Sequence, residues 1–124
     1  VHAIKTSNAP SALAAYSQGI DAGGFVFVAG QVGLDPSTGE LAEGFEVQVE
    51  RALRNIAAVL DAAGLTMSDV VKTTCLLANI DDFPAFNDIY AGFIGDPPPA
   101  RATYAVAALP RGALIEIEAI AVRR

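Results

Sequence analysis

Hydrophobic spacing switches period several times along this chain, and each switch marks an element. Tyr16–Ala22 and Phe25–Val32 are strand-like runs on either side of Gly23-Gly24, which predicts a hairpin closed by a two-residue glycine turn. Residues 35–40, DPSTGE, read as a loop from their Pro, Ser and Gly. From about Glu43 to Ala63, Phe45, Val49, Ala52, Leu53, Ile56, Leu60 and Ala63 recur at spacings of three and four, with Glu46, Glu50, Arg54 and Asp61 off that stripe. This is the period of an amphipathic helix, and Gly64 supplies its stop. Val70–Ala78, VVKTTCLLA, is short, β-branched and nearly uncharged, the pattern of an interior strand. Asp81 or Asp82 is placed to cap a second helix through about Phe93, with Phe83, Phe86, Tyr90 and Phe93 as its packing face. RATYAVA and ALIEIEAIAV, joined by LPRG, predict a second hairpin.

The order hairpin, helix, strand, helix, hairpin predicts an α+β fold: a single domain over residues 1–124, with a mixed β-sheet and both helices on one face. The other face is left uncovered. In the last strand Ile115, Ile117, Ala119 and Ala121 alternate with Leu114, Glu116, Glu118, Ile120 and Val122, so both carboxylates share a face with aliphatic side chains. A sheet face this apolar is expected to pack against partner subunits.

Composition narrows the function classes. Of 124 residues, 52% are hydrophobic and 18% charged, with eight Lys and Arg against fourteen Asp and Glu for a net charge of -6. The bases are scattered, so no phosphate-tracking surface and no nucleic-acid partner is expected. One Cys (Cys75), one His (His2) and no Trp exclude an intrachain disulfide and a His/Cys metal cluster from one protomer. No apolar run approaches the roughly 20 residues of a membrane span, and the first residues lack a signal-peptide layout. The expected setting is cytoplasmic, with neither metal nor cofactor. Cys75 reads as a buried, inert thiol and His2 as a strand-end or surface residue.

The most specific chemical statement is Arg101, which follows the proline run Pro97–Pro99 and precedes Glu116 and Glu118. A guanidinium is a planar fork suited to a carboxylate. Whether it reaches the two glutamates depends on the register of the second hairpin. If paired residue numbers sum to an odd value such as 219, Arg101 faces Glu118 and Thr103 faces Glu116, and the site assembles on one face. With an even sum Arg101 points toward the helices, and the same-face site does not form.

The residues AYSQGI (15–20), VFVAGQVGLDPSTGE (26–40), ERALRNIAAVLDAAG, DFPAFNDIY (82–90), PPARATYAV and IEIEAIAV together make the chain resemble the RidA/YjgF family of enamine/imine deaminases over nearly its whole length. The resemblance implies a chorismate-mutase-like fold assembled as a homotrimer, with clefts between neighbouring subunits. It also implies cofactor-free hydrolysis of 2-imino acids and their enamine tautomers, such as 2-aminoacrylate, to a 2-keto acid and ammonia. Carried onto this sequence, Arg101 clamps the substrate carboxylate and Glu116 handles the attacking water or the leaving nitrogen. Tyr16, Gly30, Asn87 and Thr103 fall at pocket positions, and Glu118 is a supporting or intersubunit residue. Thr103 stands where the family usually has cysteine, Ala29 where it has serine, and Leu13-Ala14-Ala15 precedes Tyr16 in place of a Gly-Pro pair. A threonine hydroxyl forms no thiolate at neutral pH, so thiol chemistry at that position is excluded. The alternative reading is a non-catalytic module of the same fold that binds small carboxylates.

Overall fold

The computed structural model describes residues 1–124. Its elements are β1 (His2–Ile4), β2 (Gly19–Ala22), β3 (Phe25–Gln31), α1 (Phe45–Ala62), β4 (Val70–Leu77), α2 (Phe83–Ala91), β5 (Ala100–Ala105) and β6 (Ile115–Val122). The strands form one six-stranded sheet in the order β1-β2-β3-β6-β4-β5. Only β4 and β5 run parallel, so the sheet is mixed, and the α+β expectation holds.

The first hairpin forms as expected, with Gly23 and Gly24 at φ 59° and 85°, the left-handed conformations that a two-residue turn requires. Helix α1 follows the predicted stripe: Val49, Ala52, Leu53, Ile56, Val59 and Leu60 are fully buried against β3 and β6. Each large aliphatic side chain so buried contributes about 1.5–3 kcal/mol. On the sheet side the core is completed by Val26, Val28, Cys75, Leu77, Ile115 and Ile117. Cys75 is wholly buried, and burial pushes its thiol up from the ordinary value.

The second hairpin does not form. Strand β5 pairs in parallel with β4, and β6 pairs antiparallel with β4 on one side and β3 on the other, so β4 separates the two strands on either side of the LPRG turn. Burial explains the choice. Every second residue of β6 is buried along its length, which suits a strand with neighbours on both sides, whereas β5 is exposed at both ends and suits an edge. Pro110–Gly112 is a short 3-10 turn with Arg111 at φ 62°, part of a connection that crosses β4 rather than a hairpin bend. The cap of α2 also differs. Asn79 caps a 3-10 turn over Ile80–Asp82 by accepting from Asp81 N, and Asp82 at the start of α2 makes no side-chain cap bond.

Two polar side chains inside the apolar stripe of α1 stitch loops to the core. Asn55 Nδ2 donates to Val32 O and Leu34 O at 3.2 and 2.9 Å. Gln48 Nε2 donates to Ala42 O, and its Oε1 accepts from Leu114 N at 2.8 Å, anchoring the entry to β6. Beside Gln48 the backbone of Gly33 passes so close that a β-carbon there meets Gln48 Cα at 2.7 Å and Gln48 O at 2.8 Å. Gly33→Ala therefore forces backbone against backbone. Its expected destabilisation, about 1–3 kcal/mol as for other overpacked sites, is measured by urea denaturation.

Candidate active site

Strand β4 is the ruler that positions the chemical residues. Thr73 pairs with Arg101 on one side and Ala119 on the other, and Cys75 with Thr103 and Ile117. Because residues opposite one another in a ladder share a face, Arg101 and Thr103 lie on the helix-covered face. Leu76 pairs with Tyr104 and Glu116, and Thr74 with Ala102 and Glu118, so both glutamates lie on the uncovered face. No hairpin register forms, because β4 lies between β5 and β6, but the facing is that of the even-sum alternative: Tyr104 shares a face with Glu116, Arg101 points to the helix side, and the chain by itself makes no same-face cluster of Arg101 with the glutamates.

Arg101 is nonetheless exposed, since β5 is an edge strand. Its guanidinium carbon lies over the rings of Tyr90, Phe83 and Phe86, at 4.9, 5.6 and 5.6 Å from their centroids. These three side chains occur three and four positions apart on α2, the spacing that stacks side chains along one helix face. Tyr90 is itself tied down: its hydroxyl and Thr73 Oγ1 are 2.7 Å apart in a buried hydrogen bond. Burial raises the phenol above its ordinary value and keeps it neutral. Asn87 sits on the same helix, half-buried, and its Oδ1 and Thr103 Oγ1 are both shut from solvent without a hydrogen-bond partner.

On the other face Glu116 is half-buried and rests over Gly30. A β-carbon on Gly30 falls 2.9 Å from Glu116 Cδ, so only glycine leaves the carboxylate its seat. Gly30 itself belongs to a bulge. Val28 pairs with Ala119 and Gln31 with Ile117, leaving Ala29 and Gly30 opposite Glu118 alone, an arrangement that bends a strand and re-aims its side chains. Burial first, and then the charge of Glu118, push the Glu116 carboxyl above its ordinary 4.5. Phe25, Phe27 and Tyr104, each between 44% and 50% exposed, are the aromatic residues of this uncovered face.

Tyr16 lies on the loop ahead of β2, toward the opposite edge of the sheet from β5, and is 54% exposed. The loop is held by buried Gln18, whose Oε1 accepts from Thr6 N at 2.8 Å and whose Nε2 donates to the carbonyls of Thr6, Ala9 and Pro10. The chain thus divides the expected residues three ways: Arg101, Asn87 and Thr103 on the helix side, Glu116 over Gly30 on the uncovered side, and Tyr16 alone. Sequence reasoning missed Tyr90 and Thr73 as the setting of Arg101, and Gln48 as the anchor of β6. Gln48 and Asn55 were signalled by their place on an apolar stripe; nothing in the sequence ties Tyr90 to Thr73. No three His, Cys, Asp or Glu side chains converge as a metal site, and no helix is long and apolar enough to cross a membrane.

The family model described as Endoribonuclease L-PSP matches residues 6–123. The chain belongs to the YjgF/RidA family. It is 49% identical over 121 residues to the 2-iminobutanoate/2-iminopropanoate deaminase of Mus musculus, covering 97% of this chain and 90% of that one. Among solved structures it is similar to RidA from the Antarctic bacterium Psychrobacter sp. PAMC 21119, at TM-score 0.96 and 43% identity over 98% of this chain and 99% of that one. It is also similar to E. coli TdcF with bound serine, at TM-score 0.95 and 37% identity over 100% of both chains. The family thus carries both deaminase and endoribonuclease names.

The raised Glu116 carboxyl sets a sign for stability against pH. The folded chain holds this proton more tightly than the unfolded chain, so ionisation penalises the fold above the raised value, and the penalty fades as pH falls toward 4.5. Glu116→Gln is expected to melt at a higher temperature than the parent at pH 7. That excess is expected to disappear by about pH 4, where the carboxyl is protonated in both states; thermal melts at the two pH values check this.

Proposed function

We propose that this chain hydrolyses 2-imino acids and their enamine tautomers to 2-keto acids and ammonia. The observation that carries the reading is Arg101, an exposed guanidinium with no hydrogen bond or ion pair to its own chain among all those formed. Its donors are free for an anion, and a carboxylate matches their geometry. The deaminase names of relatives near half identity support the same chemistry.

Arg101 and Glu116 face opposite sides of one sheet, so one substrate meets both only where two copies of the chain adjoin. We place the cleft there, in a homotrimer whose contacts cover Phe25, Phe27 and Tyr104. One copy supplies Arg101, Asn87 and Thr103; its neighbour supplies Glu116 above Gly30, with Tyr16 at the rim. The substrate carboxylate is held by Arg101 through paired charge-assisted hydrogen bonds. Water adds to the imine carbon as the C=N bond opens, giving a carbinolamine. Its C–N bond then breaks while the C=O forms, and nitrogen leaves as ammonia. Glu116, with its elevated affinity for a proton, takes a proton from the attacking water and returns it to nitrogen. The imine carbon is already electrophilic, so positioning and proton transfer suffice.

An RNA-cleaving role has less support, because the net charge is -6 and no cluster of bases marks a phosphate track. The test is kinetic. With 2-aminoacrylate released by a dehydratase, the protein is expected to accelerate keto-acid formation over an inert protein, and Arg101→Ala to lower kcat/KM by about a hundredfold or more. Parent protein no faster than the inert control would favour a carboxylate-binding module instead, and wild-type turnover in the variant would rule out the clamp.

A further inference from the structure

Arginines that must hold a fixed position are commonly tied by a carboxylate, but a carboxylate beside a substrate clamp would consume the donors the substrate needs and cancel the charge that attracts it. Arg101 is fixed in another way. Three ring faces surround its guanidinium carbon, at 4.9 Å for Tyr90 and 5.6 Å for both Phe83 and Phe86, and no Asp or Glu reaches it within ion-pair distance. An aromatic face attracts the cation through its quadrupole but accepts no in-plane N–H bond, so the fork stays unspent. The rings are themselves fixed: Phe86 and Tyr90 are buried with centroids 5.2 Å apart, and Tyr90 is bonded to Thr73, the residue directly opposite Arg101 in the ladder.

We propose that Tyr90, braced by the Thr73 hydroxyl, is a positioning residue that with Phe83 and Phe86 seats the Arg101 guanidinium by its face and leaves its N–H edge open to a single carboxylate. The inference rests on the carboxylate-clamp reading above. It explains a strand residue and a helix residue bonded to each other behind the clamp, which core packing alone does not require.

The test compares Tyr90→Leu, Tyr90→Phe, Phe83→Leu and Arg101→Ala, using the dehydratase-coupled assay for kcat and KM and calorimetric titration with pyruvate for carboxylate affinity. In Tyr90→Leu, KM and the pyruvate Kd are expected to rise about tenfold with kcat within about threefold of the parent, the scale of one lost cation–π contact. Tyr90→Phe keeps the face and loses only the brace, so KM and Kd are expected to rise by an intermediate amount, about threefold; parent-like values there would remove the brace from the seat. A purely structural tyrosine would lower the melting temperature and the active fraction while leaving KM and Kd unchanged. Unchanged KM and Kd in Tyr90→Leu, with Arg101→Ala inactive, would refute the seat and spare the clamp; a fully active Arg101→Ala would refute both. Should Tyr90→Leu fail to fold, Phe83→Leu decides, since Phe83 is only partly buried: a rise in KM and Kd supports the seat, and parent-like values overturn it.

Discussion

A strand offers each side chain two directions only, and in this sheet β4 imposes that choice on both of its neighbours at once. Its Thr73 and Cys75 carry Arg101 and Thr103 to the helix side, while its Leu76 and Thr74 align with Glu116 and Glu118 on the open side. Shifting β4 by one residue against either neighbour would move a whole set of apolar side chains out of the core. The buried alternation of β6 and the fully buried Cys75 and Leu77 therefore fix the register, and with it the separation of the cation from the carboxylates. That separation follows from packing requirements and not from any contact between the two groups themselves.

The surroundings of Arg101 and of Glu116 are built by different physics. Arg101 is exposed and held by ring faces, so its charge is unopposed within the chain. Glu116 is half-buried beside a like charge over a bulged glycine, so its proton is held more firmly than water would allow. One group is thereby suited to attracting an anion and the other to passing protons. Gln48 connects this arrangement to the core, since the residue that fills the stripe of α1 also bonds Leu114 at the entry to β6.

Elements governed by local periodicity were legible in the sequence: the Gly23-Gly24 hairpin, the stripe of α1, the β-branched run of β4 and the aromatic face of α2. The pairing of β5 was not. A Pro-Arg-Gly turn between two strands carries the local marks of a hairpin, and the fact that β4 lies between them depends on which strand can be buried on both sides, a property of the whole sheet. The candidate residues Arg101, Glu116, Gly30, Asn87 and Thr103 were marked in the sequence by their resemblance to a family pattern. Their division between two faces was hidden, because parity through an intervening strand leaves no mark in either flanking segment. The bond of Tyr90 to Thr73 was hidden for the same reason: it joins a helix to a strand whose facing is settled only by the sheet.

Thr73, Tyr90, the two phenylalanines and Arg101 all belong to one β4–α2–β5 unit of continuous chain, whereas Glu116 depends on Gly30 from the first quarter of the sequence. Closing the first arrangement confines a short stretch of backbone and closing the second a long one, so the entropy lost differs even though each holds a single charged side chain. The setting of Arg101 is thus a property of local chain order, and that of Glu116 a property of the completed sheet.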